Sequence, residues 1–359
     1  MSTTSAQKLT LDGQTVHFEA GESLYELARR HTDAVPTLCF DDRLAPLGAC
    51  RLCVVEVEGE ARPVASCTTI ARAGMVVRTR TESLELHRKT LMELVVSENP
   101  AGAVIDPLRG RASQELAQLA VRYQADGKRF AGARSGASRP DDPNPMILRD
   151  YDHCISCYRC VRACNEQQGD FAISIQGRGF QTQIVTEFDG ALADSACTFC
   201  GQCVQTCPTG ALADRRALEH AETPGELTAT RSICPYCGVG CSLDILSKGD
   251  TIVGVQPAPD GPANEGALCV KGQFAWEWVQ HPDRLRHPLV RVDGELVEAS
   301  WDEALERAAE GFRKVKKAHG REAVYAMASG RAPHESAYTV QKLIRTCFQT
   351  NHVDNCSRA

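Results

Sequence analysis

The arrangement of the cysteines constrains this chain more than any other feature of its sequence. Eighteen of the 359 residues are cysteine, and sixteen of them fall into four sets of four. The sets are Cys39, Cys50, Cys53 and Cys67; Cys154, Cys157, Cys160 and Cys164; Cys197, Cys200, Cys203 and Cys207; and Cys234, Cys237, Cys241 and Cys269. Repeated C-x2-C pairs indicate metal binding in a reducing compartment, whereas disulfide frameworks are typical of small secreted chains. The sequence therefore predicts metal centres, with zinc as the alternative to iron.

The second and third sets share the spacing C-x2-C-x2-C-x3-C, in DHCISCYRCVRACN and SACTFCGQCVQTCPTG. This is the spacing of bacterial two-cluster ferredoxins, in which the fourth cysteine of each run binds the cluster of the other run. It predicts one [4Fe–4S] cluster on Cys154, Cys157, Cys160 and Cys207. It predicts a second on Cys197, Cys200, Cys203 and Cys164. Thiolates in sets of four favour iron–sulfur clusters over zinc at these two sites.

The first cysteine set follows a predicted hairpin and a predicted helix. Alternating apolar runs flank Asp12-Gly13, and ESLYELARRH predicts a helix with one apolar face. That face carries Leu24, Leu27 and Ala28. The order, the C-x10-C-x2-C-x13-C spacing and the strand VVEVEG resemble the β-grasp domain of the large iron–sulfur subunit of complex I and its relatives. The resemblance implies one [2Fe–2S] cluster on Cys39, Cys50, Cys53 and Cys67.

In those relatives a motif of the form HP-x2-C-x2-C-x5-C binds one further cluster. The matching stretch here is ENPAGAVIDPLRGRA, and none of the four ligand residues occurs in it. The ligand positions are occupied by Asn99, Ala103, Asp106 and Ala112. We expect this cluster to be absent, and its absence to lengthen one electron-transfer step between the first two iron–sulfur domains. Residues 111–145 predict a helix followed by a turn-rich linker.

The fourth set has the spacing C-x2-C-x3-C-x27-C and is followed by Lys271, in SICPYCGVGCSLDI and GALCVKGQF. It resembles the [4Fe–4S] domain of the molybdenum or tungsten bis-pyranopterin oxidoreductases, most closely the cytosolic NAD-linked formate dehydrogenase alpha subunits. This resemblance covers essentially the whole chain. It implies a third [4Fe–4S] cluster on Cys234, Cys237, Cys241 and Cys269, with Lys271 as an electron relay in contact with the pterin cofactor. Spacing alone would favour a solvated lysine.

Beyond Cys269 the sequence predicts the start of another domain. SWDE at 300–303 indicates a capping box, and the helix after it has an apolar side. That side carries Ala304, Leu305, Ala308, Ala309 and Phe312. A buried strand is predicted over 323–330 and a helix over 334–348. We expect a lone strand with two unpaired edges, and therefore an incomplete α/β domain.

The segment 353–358, VDNCSR, is similar to the segment that precedes the selenocysteine or cysteine metal ligand in formate dehydrogenases. Ala359 would be the spacer, which places the ligand at position 360. We expect that a selenocysteine codon read as a stop explains the last residue, with a fragment of a longer protein as the alternative. The 359 residues alone would then be inactive towards formate. Cys356 is interpreted as structural and Cys347 as buried. His31, His153 and His352 belong to no constellation of ligands, so we expect them to have packing or surface roles.

Several functions are disfavoured by composition. The net charge of −6 and the lack of a basic run argue against nucleic-acid binding. The longest apolar runs, such as 91–96, are too short to span a membrane, and no export signal is visible, so we expect a cytoplasmic protein. Gly238 and Gly240 lie in a cysteine loop rather than in a nucleotide-binding motif.

The predicted fold class is a multidomain α+β protein. We expect a β-grasp domain over 1–84, a helical linker over 85–145, a two-cluster ferredoxin domain over 146–222, a [4Fe–4S] domain over 223–290 and an incomplete molybdopterin-binding domain over 291–359. The resemblance implies a bis-pyranopterin guanine dinucleotide with Mo or W, formate as substrate, and flavin- and NAD-binding diaphorase subunits or a ferredoxin as partners. The alternatives are a complex I-like NADH dehydrogenase subunit, an iron-only hydrogenase and a stand-alone ferredoxin-like carrier.

Overall fold

The computed structural model describes residues 7–130 and 142–356. The chain divides into two compact units, Met1–Thr223 and Pro224–Ala359. Part of the predicted linker and the last three residues, including Arg358 and Ala359, lie outside the described residues. No helix in the described ranges is both long enough and apolar enough to cross a membrane.

The first unit begins with a five-stranded mixed sheet. Its strands are β1 (Gln7–Leu11), β2 (Gln14–Phe18), β3 (Val54–Val57), β4 (Val64–Ala65) and β5 (Val76–Arg78). They lie in the order β2-β1-β5-β3-β4, and β1 pairs with β5 in parallel. Asp12 and Gly13 both have positive φ, +50° and +84°, as a two-residue hairpin turn requires. The predicted hairpin is therefore confirmed.

One helix packs on this sheet as the sequence predicts. Helix α1 (Leu24–Arg29) begins at Ser23, whose Oγ accepts a hydrogen bond from Glu26 N at 3.2 Å. Glu26 Oε2 in turn accepts one from Ser23 N at 2.9 Å, which completes a capping box. Leu24, Leu27 and Ala28 all lie in the core of this sheet. The helix thereby fixes the start of the loop that carries Cys39 and Cys50.

A long helix, predicted only as part of a linker, supports the same loop. Helix α2 (Glu82–Glu98) carries Arg88, whose side chain is fully buried. Arg88 Nη2 donates to Val54 O at 2.9 Å and Nε to Leu52 O at 3.4 Å, while Nη1 pairs with Glu85 at 2.8 Å. One guanidinium group therefore donates hydrogen bonds to two carbonyl groups beside Cys53.

The remainder of the first unit is built from short elements. Helix α3 (Glu115–Arg122) follows three 3-10 turns, and two antiparallel strand pairs come after it. These pairs are β6 (Ile147–Arg149) with β9 (Leu212–Asp214), and β7 (Ile173–Gln176) with β8 (Gln183–Thr186). The helices are α4 (Arg159–Arg162), continued by a π-helical turn at Ala163–Gln168, α5 (Gln202–Thr206) and α6 (Arg215–Glu219). Helices α4 and α5 each begin inside a cysteine run.

The second unit contains an antiparallel sheet of β10 (Leu227–Ile233), β11 (Ser242–Lys248) and β12 (Thr251–Pro257). Helix α7 (Val270–Phe274) begins directly after Cys269. A hairpin of β13 (Leu289–Val292) and β14 (Glu295–Glu298) comes next, and then α8 (Trp301–His319). The final elements are β15 (Ala326–Ala328), α9 (His334–Leu343), a π-helical turn at Ile344–Phe348 and β16 (Val353–Asn355).

The expectation of a lone strand in the last segment is wrong. Strand β15 pairs in parallel with β16, and Ala326, Met327 and Ala328 lie opposite Val353, Asp354 and Asn355. Residues 353–355 are too few and too polar to give a recognisable strand pattern, so only the pairing shows them to be a strand.

The predicted apolar side of α8 exists but is not covered. Ser300 caps the helix by accepting from Glu303 N at 3.2 Å, yet no residue of α8 is buried. Leu305 remains 60% exposed and Phe312 48% exposed, although the Phe312 ring lies 5.0 Å from that of Phe348. Amphipathic periodicity predicts which side of a helix is apolar, but does not predict what covers that side.

Candidate iron–sulfur sites

The first cysteine set lies between α1 and the turn after β4. Cys53 Sγ and Cys67 Sγ are 3.3 Å apart, and Cys50 N donates to Cys39 Sγ at 3.5 Å. The hydrogen bond with Cys67 lowers the pKa of Cys53 to about 7 and raises that of Cys67. The hydrogen bond between the side chains of Cys39 and Cys50 similarly lowers the pKa of Cys50 and raises that of Cys39. Metal binding requires thiolates, so a bound metal centre would displace the protons of these thiols.

Three cysteines of the second set meet the last cysteine of the third set around one cavity. Its lining includes Cys154, Cys157, Cys160 and Cys207 together with apolar side chains such as Ile155, Ile184 and Leu212. Burial raises the pKa of Cys154 to about 11 and that of Cys157 to about 12. The structure therefore brings together the four residues that the crossed ferredoxin pattern predicts.

The reciprocal group lies around Cys203. The charges of Cys200, Cys197 and Cys164 act on Cys203, and together with its burial they raise its pKa. Burial also raises the pKa of Cys197 to about 11, although Phe199 N donates to Cys197 Sγ at 3.4 Å. Cys164, from the earlier run, is thus close to the three thiols of the later run.

The two ferredoxin-like loops share one backbone pattern. Ser156 and Tyr158 have φ values of +51° and +61°, and the residues at the matching positions, Phe199 and Gly201, have +53° and +78°. Alternation with right-handed residues turns successive N–H groups towards one side of a loop, where they stabilise a bound anion. A [4Fe–4S] cluster with four thiolates is such an anion, so both loops suit that group.

The fourth set lines a cavity in the second unit. Its wall contains Cys234, Cys237, Cys241 and Cys269, with Tyr236, Leu268 and Lys271 beside them. Cys234 N donates to Cys241 O at 2.8 Å, which closes the loop. Burial raises the pKa of Cys234, whereas Cys269 is exposed at the start of α7. Lys271 is exposed as well, and it contributes to the wall that faces the cysteines.

Within residues 7–130 and 142–356, no three His, Cys, Asp or Glu side chains converge on a position suited to a single metal ion. A mononuclear zinc site needs four ligands about 2.0–2.3 Å from one ion. An iron–sulfur cluster instead distributes its four thiolates over two or more iron atoms.

The positions matching the His-Cys motif of the relatives make ordinary protein contacts. Asn99, 2% exposed, ends α2, and its Nδ2 donates to Val95 O at 3.4 Å. Asp106 caps a 3-10 turn by accepting from Leu108 N at 3.1 Å. Ala103 packs against the cluster of side chains that includes Leu116, and Ala112 begins the last turn before α3.

One interpretation of a single residue requires correction. Cys347 is exposed rather than buried, because it lies on the solvent side of the turn after α9, where the chain continues as a π helix. His153 Nδ1 lies 2.8 Å from Asp150 Oδ2, and His352 Nε2 lies 3.0 Å from Glu322 Oε2. Both contacts are with single carboxylates. Cys356 Sγ lies 3.2 Å from Ser329 Oγ.

Several charged residues near the cysteines were not anticipated from the sequence. Asp41 accepts from Thr206 Oγ1 at 2.6 Å, and Glu166 Oε2 accepts from Ala45 N at 2.7 Å. Arg162 donates to the carbonyl oxygens of Cys39 and Ala45. These contacts join loop 39–45 to the helices that carry the ferredoxin-like cysteines. Charged residues in loops leave no periodic signal, so the sequence did not reveal them.

Replacing Gly210 with alanine should destabilise the turn after Cys207. Its φ is +67°, and a Cβ there would lie 2.6 Å from Arg109 Cβ and 3.0 Å from Ser113 Cβ. Gly169→Ala is the matched control, because its φ is +79° but a Cβ would meet nothing within 4 Å. Denaturant unfolding should show Gly210→Ala to be about 1–3 kcal/mol less stable than this control. Equal losses would show that the packing at Gly210 relaxes freely.

Four protein families match successive parts of the chain. Residues 6–82 match a 2Fe-2S iron-sulfur cluster binding domain, and residues 144–213 match the ferredoxin-like domain of NADH-quinone oxidoreductase subunit 3. Residues 227–281 match the molybdopterin oxidoreductase Fe4S4 domain, and residues 284–359 match molybdopterin oxidoreductase. Together with the grouped thiols, these matches define the iron–sulfur domains of the oxidoreductase class. The five domain boundaries given above stay predictions.

Curated relatives align with nearly the whole chain. An NADH-quinone oxidoreductase subunit of Rhizobium meliloti (strain 1021) is 36% identical over 98% of the chain. A putative formate dehydrogenase of Staphylococcus haemolyticus (strain JCSC1435) is 30% identical over 98%. The chain spans 40% and 39% of the lengths of these relatives. The chain belongs to the molybdopterin oxidoreductase family with iron–sulfur domains and is similar to the Rhizobium NADH-quinone oxidoreductase subunit.

A solved structure shares the fold in part. It is the crystal structure of an NAD+-reducing [NiFe]-hydrogenase in the H2-reduced state, with a TM-score of 0.51 and 30% sequence identity. The match covers 59% of this chain and 88% of that chain.

Proposed function

We propose that this chain is the iron–sulfur electron-transfer portion of a formate dehydrogenase alpha subunit. The observation that carries the proposal is the gathering of sixteen thiols into four groups, one of them beside Lys271. Bound clusters would each accept and release single electrons. The protein supplies the ligands, the surrounding dielectric and the contacts between successive sites.

The proposed ligand sets follow the four thiol groups. A [2Fe–2S] cluster is assigned to Cys39, Cys50, Cys53 and Cys67. Three [4Fe–4S] clusters are assigned to Cys154, Cys157, Cys160 and Cys207; to Cys164, Cys197, Cys200 and Cys203; and to Cys234, Cys237, Cys241 and Cys269. The anion-stabilising N–H groups and the buried thiols support this assignment.

A direct contact supports electron transfer between the first two sites. Thr206 precedes Cys207, and its hydroxyl donates to Asp41, which lies two residues after Cys39. One hydrogen bond of 2.6 Å therefore joins chain segments that end at ligands of two different clusters. Arg162, between Cys160 and Cys164, also donates to Cys39 O. These contacts hold the two segments together, and the expected lengthening of this step stays a prediction.

Lys271 is the proposed relay at the other end of the route. It lines the cavity of the fourth cysteine group, and its exposed side chain is available to a cofactor outside that cavity. The cofactor would be Mo or W held by two pyranopterin guanine dinucleotides, and formate would be the substrate. The proposal rests on the resemblance to formate dehydrogenases and on the 30% identity to a putative one.

The proposed partners are flavin- and NAD-binding diaphorase subunits, with a ferredoxin as the alternative. The names of two relatives, an NADH-quinone oxidoreductase subunit and an NAD+-reducing hydrogenase, support an NAD-linked partner.

A second candidate function is that of an NADH-quinone oxidoreductase large iron–sulfur subunit. The 36% identity to the Rhizobium relative favours it. The two candidates share the iron–sulfur route and differ in whether formate and a pterin-bound metal are involved.

Formate-dependent reduction of a viologen dye distinguishes these functions. The protein, purified anaerobically in its native complex, is expected to contain Mo or W and to reduce the dye when formate is added. Lys271→Met should lower this rate about 10–100-fold while leaving the iron content unchanged. Lys314→Met, whose side chain is 81% exposed on α8, is the control and should retain the rate.

NADH-dependent reduction without formate-dependent reduction, in a complex that lacks Mo and W, would replace the first candidate with the second. An unchanged formate rate in Lys271→Met would remove the relay role but keep the formate dehydrogenase proposal.

A further inference from the structure

A single buried arginine lies between two cysteines of the first ferredoxin-like group. Arg159 is 3% exposed and lies between Cys157 and Cys160 in the sequence. Its Nη1 lies 2.9 Å from Glu115 Oε1 and its Nη2 lies 2.7 Å from Glu115 Oε2, a bidentate pair. Nη1 also donates to Thr206 O at 3.2 Å. The guanidinium group is thereby fixed between Glu115 and the carbonyl group of Thr206, the residue before Cys207.

Arg159 places a positive charge two residues after Cys157 and one residue before Cys160. A fixed positive charge stabilises the more negative, reduced form of a neighbouring cluster and raises its reduction potential. A buried cation without a partner is also costly, so the effect of Arg159 depends on the carboxylate that accompanies it.

Glu115 lies just after the segment that matches the His-Cys motif of the relatives. It is the first residue of α3, three residues after Ala112. The same segment is fixed to the turn after Cys207, because Leu116 N donates to Pro208 O at 3.2 Å and Arg109 Nη1 to Gly210 O at 3.0 Å. Glu115 is therefore held in place by contacts other than its own ion pair.

We propose that Glu115 is a positioning residue that orients Arg159 and offsets its charge, and thereby lowers the reduction potential of the cluster on Cys154, Cys157, Cys160 and Cys207. This inference rests on the proposed assignment of that cluster. In this role Glu115, the first residue of α3, contributes a negative charge next to an iron–sulfur site.

The test is a redox titration of the protein in its native complex, followed by electron paramagnetic resonance of each cluster. Glu115→Gln should shift one [4Fe–4S] midpoint potential in the positive direction and leave the others unchanged. Arg159→Gln should shift the same potential in the negative direction. Glu115→Asp, which keeps the charge, should remain close to the unmodified protein.

Glu93→Gln is the control, since Glu93 also forms an ion pair with an arginine, Arg129, at 2.8 Å. It should shift no potential. An unshifted potential in both Glu115→Gln and Arg159→Gln would overturn the inference. So would loss of the cluster in both variants with retention in Glu115→Asp, because the pair would then serve assembly. Absence of this [4Fe–4S] signal from the unmodified protein would instead reject the underlying ligand assignment.

Discussion

Replacing Cys207 with serine is expected to remove the cluster whose other ligands belong to the earlier cysteine run. Cys207 lines one cavity with Cys154, Cys157 and Cys160, and Cys164 is close enough to Cys197, Cys200 and Cys203 for its charge to affect all three. Serine oxygen is a poor ligand for iron in a sulfur site, so the variant should lose about four iron atoms per chain. Metal analysis and paramagnetic resonance measure the loss. Electron transfer between the [2Fe–2S] site and the remaining clusters should largely stop.

The reciprocal substitution sharpens this prediction. Cys164→Ser should instead remove the cluster on the later run, and the two variants should lose different resonance signals. Cys347→Ser is the control, because Cys347 is exposed and belongs to none of the four groups. If Cys207→Ser removed the signal of the later run and Cys164→Ser that of the earlier run, the crossed assignment would be wrong. The thiols would then bind within single runs despite their positions in the fold.

The cysteine groups could be anticipated because spacing limits which thiols reach one cavity. The run around Cys154 leaves its fourth thiol, Cys164, on the helical turn that follows α4, where it acts on Cys203 of the later run. Since this geometry depends on local chain length, the sequence predicts it without knowledge of distant contacts. The hairpin at Asp12 and Gly13 and the capping box at Ser23 are local in the same sense.

Features that depend on distant segments could not be predicted. The pairing of β15 with β16 joins residues that are far apart in sequence, and nothing in VDN indicates a strand. The Thr206–Asp41 and Arg159–Glu115 contacts are of the same kind, because a charged residue selects its partner only after the backbone is folded. Exposure of Cys347 likewise depends on what packs against α9. The sequence therefore predicts which thiols come together better than which residues surround them.

The buried guanidinium of Arg88 is a stabilising group that the sequence pattern does not reveal. Arg88→Met should lower the free energy of unfolding by about 2–5 kcal/mol, because Leu52 O and Val54 O would each lose a hydrogen bond inside the core. These carbonyl groups flank Cys53, so the [2Fe–2S] site should be lost at a lower denaturant concentration. Denaturant unfolding, followed through the absorbance of the [2Fe–2S] cluster, measures both effects.

Arg78→Met provides the comparison, since it makes the same chemical change at an exposed position on β5 of the same sheet. It should alter stability by less than about 0.5 kcal/mol. A similar loss of stability in both variants would mean that removal of a positive charge, and not loss of the two carbonyl contacts, accounts for the effect of Arg88→Met. A selective loss in Arg88→Met would show that α2, outside the predicted β-grasp domain, stabilises the cysteine loop of the first site.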